Sequence, residues 1–183
     1  FLIFIGDDGF SSRDDWHYDR VAKDIVNGLK KGANGFIEYD KGIVNIGYFN
    51  LNGWLYYYLG FDTLSARMVN VFFSSITVLL VYFIAETLFD KNRAYVIALT
   101  IALFPSLIFW ASLQFKDTII IFLSTALIYI MVCKFKNKIG IISVVFYTLF
   151  MFILWHFRKD YCFPLIGVGL FWLLIKYTRI GRM

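Results

Sequence analysis

The sequence predicts an all-α polytopic membrane protein: a bundle of transmembrane helices with a long first outer loop that carries an amphipathic surface helix. Three observations lead there. The 183 residues are 60% hydrophobic and include 21 Phe and 12 Tyr, too apolar to cover the outside of a water-soluble domain. Apolar runs recur at about 68–89, 94–113, 118–133, 139–157 and 161–175, near the ~17–25 residues a spanning helix needs. Charged breaks separate them: DKNR at 90–93, LQFKD at 113–117, KFKNK at 134–138 and HFRKD at 156–160. The net charge of +5 does not point to nucleic acid, because no Lys/Arg cluster carries a base-reading or base-stacking pattern.

In chain order, residues 1–5 (FLIFI) are too few to span a hydrocarbon core of ~30 Å and read as the end of a truncated transmembrane helix. Residues 6–67, with nine acids and seven bases, form the outer loop. The five apolar runs follow as spans, and 1–183 is a single transmembrane domain fragment with no internal repeat. Alternate breaks share a side of the membrane. One set, 90–93, 134–138 and 176–183, holds Lys91, Arg93, Lys134, Lys136, Lys138, Lys176, Arg179 and Arg182; the short breaks of the other hold only Lys116, Arg158 and Lys159. The positive-inside bias makes the first set cytoplasmic. The loop 6–67 and the breaks at 113–117 and 156–160 then face outward together, where separated segments can build one site. Cys133 and Cys162 fall near opposite faces, too far apart for a disulfide.

Within SSRDDWHYDRVAKDIVNG (11–28), Tyr18, Val21, Ala22, Ile25 and, just beyond, Leu29 recur at three-and-four spacing, with Arg20, Lys23, Asp24 and Asn27 opposite. This pattern predicts an amphipathic helix on the outer membrane surface. Ser12 with Asp15 three residues later marks its start, and Gly28 its end. Asp14 and Asp15 in the first turn either complement the helix dipole, worth ~0.3–1 kcal/mol each, or serve a site. Lys116 and Asp117, between two apolar runs, either reach the headgroups at a helix end or are functional, the default for ionisable residues near membrane depth. Arg158, Lys159 and Asp160 admit the same two readings. Glu86 is expected to snorkel or to pair with Lys91 or Arg93. His17 and His156 lack metal-ligand spacing, and the glycines at 32, 35, 42 and 47 do not form a phosphate-cradling loop.

The motif D-D-x-x-Y (Asp14, Asp15, Tyr18) runs into A-x-x-I-x-x-G (Ala22, Ile25, Gly28). GYFNLNGWLYYYLGFDTLSARMVN and LVYFIAETLFDKNRAYVIALTIALFPSLIFWASLQFKD follow. This order resembles the N-terminal half of the GT-C membrane glycosyltransferases, the polyprenyl-phosphate-sugar-dependent enzymes that include protein mannosyltransferases and lipid A aminoarabinose transferases. The resemblance implies a GT-C-like bundle in a prokaryotic plasma membrane with its active site facing outward. It also implies that Asp14 is the catalytic base, with Asp15 standing where the family more often has Glu. Asp117 would match an acid that arranges the site or holds a divalent metal such as Mg or Mn, and Arg158 a basic residue that contacts the lipid phosphate.

The chemistry is coherent on its own terms. A sugar carried on a polyprenyl phosphate presents its anomeric carbon at the outer surface, where an acceptor hydroxyl needs a base within hydrogen-bond reach. Cations can neutralise the leaving phosphate, so Asp14 as base with Lys116 and Arg158 as anion stabilisers supplies an inverting transfer, and Asp117 and Tyr18 complete the donor site. The expected partners are the lipid-linked donor, membrane lipids and an acceptor of unspecified class, with no nucleic acid. A polyprenyl-linked polysaccharide polymerase is the neighbouring enzyme reading. A transporter is the non-enzymatic one, with Asp117 and Glu86 as ion ligands and Pro105 breaking a span.

Overall fold

The structure, a computed structural model, describes residues 13–32, 46–134 and 140–169, and among them every regular element is helical. They are α1 (Arg13–Lys30), α2 (Ile46–Leu59), α3 (Thr63–Leu88), α4 (Lys91–Ala102), α5 (Pro105–Ala111), α6 (Asp117–Tyr129) and α7 (Ile141–Arg158). A π turn, Ile130–Lys134, extends α6, and a 3₁₀ turn, Lys159–Tyr161, leads from α7 into a helical segment at 162–169. The expectations for residues 1–5, Ser12, Lys136, Lys138 and 170–183 lie outside the described residues.

Local chemistry sets the boundaries. Asp62 and Asp90 are N-caps: the Asp62 carboxylate accepts from the Leu64 N–H at 2.9 Å and the Asp90 carboxylate from the Arg93 N–H at 2.9 Å. Each satisfies an orphan donor of the first turn. The first span, expected at 68–89, therefore begins five residues early, at Thr63. α1 runs through Gly28, where no left-handed turn forms, and stops at Gly32 with φ of 77°. The expected stop near Gly28 is thus corrected; glycine inside a helix is merely unfavourable, whereas a positive φ suits it. α2 was expected as loop. Its sequence, IGYFNLNGWLYYYL, is apolar around the whole helix and so lacks the one-faced periodicity by which helices are recognised.

Thr63–Leu88 and Ile141–Gly169 are long and apolar enough to cross a membrane, and a third span arises if Lys91–Ala102 and Pro105–Ala111 count as one, bent by 56°. The single helix expected at 94–113 is therefore broken. Pro105 supplies no N–H and its ring clashes with the turn before it, so the helix ends at Ala102 and restarts at the proline. The stretch 141–169 is not straight either. Arg158 is extended (φ −165°, ψ 95°), the Trp155 and Phe163 rings lie 6.0 Å apart, and a Cβ on Gly169 would stand 3.1 Å from the Tyr147 hydroxyl. The chain reverses at HFRKD. The arm before the reversal, 18 residues, is ~27 Å long at 1.5 Å per residue, close to the thickness of a bilayer core.

α3 lies between α4 and α6, and α6 packs in turn on α7. Phe73, Phe122 and Phe150 form the seam, with ring centroids at 4.7 and 6.2 Å. α1 and α2 pair with each other and cap the end of the bundle where α3 and α6 begin and α7 ends. Tyr18, Ile25, Tyr48, Phe49, Ile120, Leu154 and Phe157 share one core there. Glu86 takes the Tyr82 hydroxyl at 3.4 Å, while Arg93 pairs with Asp90 at 3.1 Å. Of the two readings of Glu86, the pairing with Lys91 or Arg93 is not formed, and the snorkelling one stands uncontradicted. Cys133 and Cys162 are both free thiols.

Candidate functional site: a charged cluster over a buried polar clasp

The buried face of α1 holds Asp15, Tyr18, Asp19, Ala22, Ile25 and Val26, a single stripe at helical spacing. Two members are carboxylates. Asp15 is 0% exposed; one oxygen accepts from the Gln114 backbone N–H at 3.1 Å and the other faces the Arg67 guanidinium at 3.4 Å. Asp19 accepts from the Tyr56 hydroxyl at 2.8 Å and from the Lys23 ammonium at 2.7 Å. Burial first, then the hydrogen bond and charge of Asp19, hold the Tyr56 phenol protonated well above its usual range. One turn along α3 from Arg67, the Asn70 amide donates to the carbonyls of Leu113 and Phe115 at 2.7 and 3.0 Å. The turn joining α5 to α6 is thus held at 114 from α1 and at 113 and 115 from α3.

That turn delivers Lys116 and Asp117. Asp117 Oδ1 lies 3.7 Å from Arg158 Nη1, with both side chains 38% exposed, and the guanidinium also lies 5.1 Å over the Tyr161 ring. Asp14 is exposed on the first turn of α1, within electrostatic reach of the same groups. Burial, then Asp14 and Asp117, raise the Tyr18 phenol above its usual range, while Arg158 opposes them. Lys116 is lowered by burial; Asp117 pulls it back up, Arg158 lowers it further and Asp14 raises it. Asp14, Tyr18 and Lys116 therefore fall within electrostatic range of the Asp117–Arg158 pair, and the two acids balance the two cations.

The adjacent acids are separated by the helix itself: Asp14 faces outward, while Asp15 is sealed in with both oxygens engaged. A dipole interaction alone does not describe Asp15, nor can it accept a proton from a substrate it cannot touch; its role is to hold the 113–117 turn. α1 is likewise not a helix with its apolar face on lipid, since that face lies against α2. Sequence reasoning missed Arg67, Asn70, Gln114, Asp19 and Tyr56. Asp15 and Asp19 sit in register with Ala22 and Val26, and acids in such a stripe demand buried partners. Asn70 inside an expected apolar span carried a similar signal.

Beside the cluster a cleft of about 550 Å³ opens between α6 and segment 162–169, within the range of small-molecule sites. Asp117, Asp160 and Tyr161 stand among its polar lining, and Trp110, Ile120, Ile121 and Leu165 supply apolar walls. Ser124 Oγ, on the same cleft, is buried without a hydrogen-bond partner among the described residues. Among the described residues no group of three His, Cys, Asp or Glu side chains is arranged to hold a metal ion, and the Asp117 carboxylate faces Arg158. Compared with protein-family models, curated proteins and solved structures, the chain has no match.

Proposed function

We propose that this chain belongs to a multi-pass membrane glycosyltransferase that moves a sugar from a polyprenyl-phosphate donor to an acceptor at the outer face of a prokaryotic plasma membrane. The observation that carries the reading is the meeting of Asp14, Lys116, Asp117 and Arg158 beside a cleft with apolar walls. An amphiphilic donor fits that arrangement: its isoprenoid chain lies along Ile120, Ile121 and Leu165, and its phosphate reaches Lys116 and Arg158. The acceptor hydroxyl oxygen attacks the anomeric carbon with inversion, the bond from that carbon to the phosphate oxygen breaks, and Asp14 takes the hydroxyl proton. The phosphate leaves with the electron pair, which the two cations stabilise. The residues around Asp117 do not fit a divalent ion, so no step runs through one.

Asp14→Asn in the full-length chain, assayed with a polyprenyl-phosphate sugar, is expected to lower turnover by ~10²–10⁴, the usual worth of a general base. Wild-type turnover in that variant rejects the assignment. An essential Arg158 alongside a dispensable Asp14 points to the polymerase. One observation favours a transporter: the 56° break before Pro105 lies beside a pocket of about 10 Å³ lined by Ser74, Thr77 and Thr118. That volume suits one water molecule and is too small for a solute path.

A further inference from the structure

The apolar face of α1 is covered by α2 and by the core that α6 and α7 share with it. Ala22, Val26 and Tyr56 are buried against one another, and a Cβ on Gly53 would stand 2.7 Å from Ile25 Cγ2. The remaining face of α1 presents Arg20, Asp24 and Asn27, all exposed. The one large apolar side chain that α1 leaves exposed is Trp16, 40% accessible and covered on one face by the Arg20 guanidinium 5.2 Å from its ring. The C-terminal end of α2 exposes several. Tyr57, Tyr58 and Leu59 are exposed there, Tyr58 by 74%, and Phe61 is exposed just beyond. The rings assemble on Trp54, which stacks on Tyr58 at 5.8 Å and meets Tyr57 edge-on at 5.9 Å. The Lys30 ammonium stands 4.9 Å over the Phe61 ring, with Lys31 exposed next to it. Two residues after Phe61, α3 begins, and its exposed stripe of Leu64, Met68 and Phe72 continues apolar surface along a helix long enough to cross a membrane.

We propose that Trp54, Tyr57, Tyr58 and Phe61 dock the α1–α2 pair into the headgroup layer of the bilayer that α3 crosses, with Lys30 and Lys31 meeting lipid phosphates. The inference rests on the membrane part of the proposed function and not on its catalytic part. Tyr and Trp, with an apolar body and a polar tip, settle at headgroup depth, and lysines beside them complement anionic lipid. Stacked rings can also receive the face of a sugar. The surroundings favour lipid: Leu59 and Leu64 flank the rings where a sugar platform needs polar groups for hydroxyls, and the patch runs into the exposed stripe of α3. The patch thereby fixes the depth at which α1 holds Asp14.

Spin labels on Asp24→Cys, Tyr58→Cys and Leu79→Cys test this, each in a full chain carrying Cys133→Ser and Cys162→Ala, reconstituted in phosphatidylcholine–phosphatidylglycerol vesicles. Collision with oxygen relative to a water-soluble nickel chelate reports depth. The ratio is expected to be highest at 79, lowest at 24 and intermediate at 58, and Trp54→Ser with Tyr57→Ser should shift the value at 58 toward that at 24 while leaving 79 unchanged. A label at 58 that reads like 24, with 79 still in hydrocarbon, overturns the docking alone. If an added soluble oligosaccharide then immobilises that label, the patch is a sugar platform. A label at 79 that reads as water overturns the docking together with the membrane reading beneath it.

Discussion

Asp15 and Gln114, 99 residues apart in the chain, are joined by a 3.1 Å hydrogen bond from the Gln114 N–H to a carboxylate that water does not reach. The same carboxylate faces Arg67 at 3.4 Å, so one side chain of α1 ties the second turn of α3 to the turn before α6. Asp15→Asn can keep an oxygen for the Gln114 N–H but removes the negative charge that faces the Arg67 guanidinium. Breaking a fully buried pair costs ~3–5 kcal/mol, and somewhat less here because the Arg67 side chain is 19% exposed, whereas Asp14→Asn on the exposed neighbour loses only a dipole interaction of ~0.3–1 kcal/mol. Thermal unfolding of the two variants in the same detergent checks this. Equal midpoints would mean that the two acids share one environment.

Asn70 makes the second tie. Asn70→Leu removes the donor that serves the Leu113 and Phe115 carbonyls, and a buried acceptor left unsatisfied costs ~1–3 kcal/mol. Beyond the stability loss, the turn is expected to loosen and expose Lys116, so that reductive methylation of Lys116 proceeds faster than in the parent chain. Lower stability with an unchanged Lys116 rate would show that the turn is positioned by something other than Asn70.

What the sequence made legible divides along physical lines. Long apolar runs and charged breaks report the solvent around a segment, so helices near 68–89, 118–133 and 139–157 and breaks near 90–93, 113–117 and 156–160 could be read directly. Lys116, Asp117 and Arg158 stood out because each borders an apolar run, and Asp14 because it opens an amphipathic helix in the motif D-D-x-x-Y. The break in α4–α5 needed the weight of Pro105 set against an otherwise continuous pattern. α2 escaped because its apolar residues circle the helix, and the Asp15–Arg67–Gln114–Asn70 clasp escaped because its partners come from three elements whose juxtaposition only tertiary packing creates.

Gly53 tests the packing that places α1. A Cβ there would lie 2.7, 2.9 and 3.0 Å from three carbons of Ile25, so α2 can approach α1 only without a side chain at this position. Gly53→Ala is expected to destabilise by ~1–3 kcal/mol, the usual cost of overpacking. Ile25→Ala in the same chain should recover part of that loss, although each change alone destabilises. Additive losses in the double variant, measured as a thermodynamic cycle, would contradict direct contact.

Lys116 links the structure of the cluster to its proposed chemistry through pH. Burial lowers the ammonium below the ordinary lysine value of ~10.4. Below its own pKa the group is charged and can neutralise the leaving phosphate; as pH rises through that lowered value the charge is lost. The profile of kcat/KM for sugar transfer, which reports groups of the free enzyme, should therefore fall on the alkaline side before an unperturbed lysine would titrate. Stability moves the other way. Between the lowered folded pKa and the higher unfolded one the unfolded chain binds more protons at this residue, so its contribution to stability rises with pH in that window. A falling rate there is consequently not unfolding driven by Lys116. Lys116→Arg keeps the charge far above this range and should carry the alkaline limb upward, while Lys116→Met should remove the limb and lower the rate across the acidic and neutral range. An alkaline limb that stays in place in Lys116→Arg assigns it to another group and takes Lys116 out of the phosphate site.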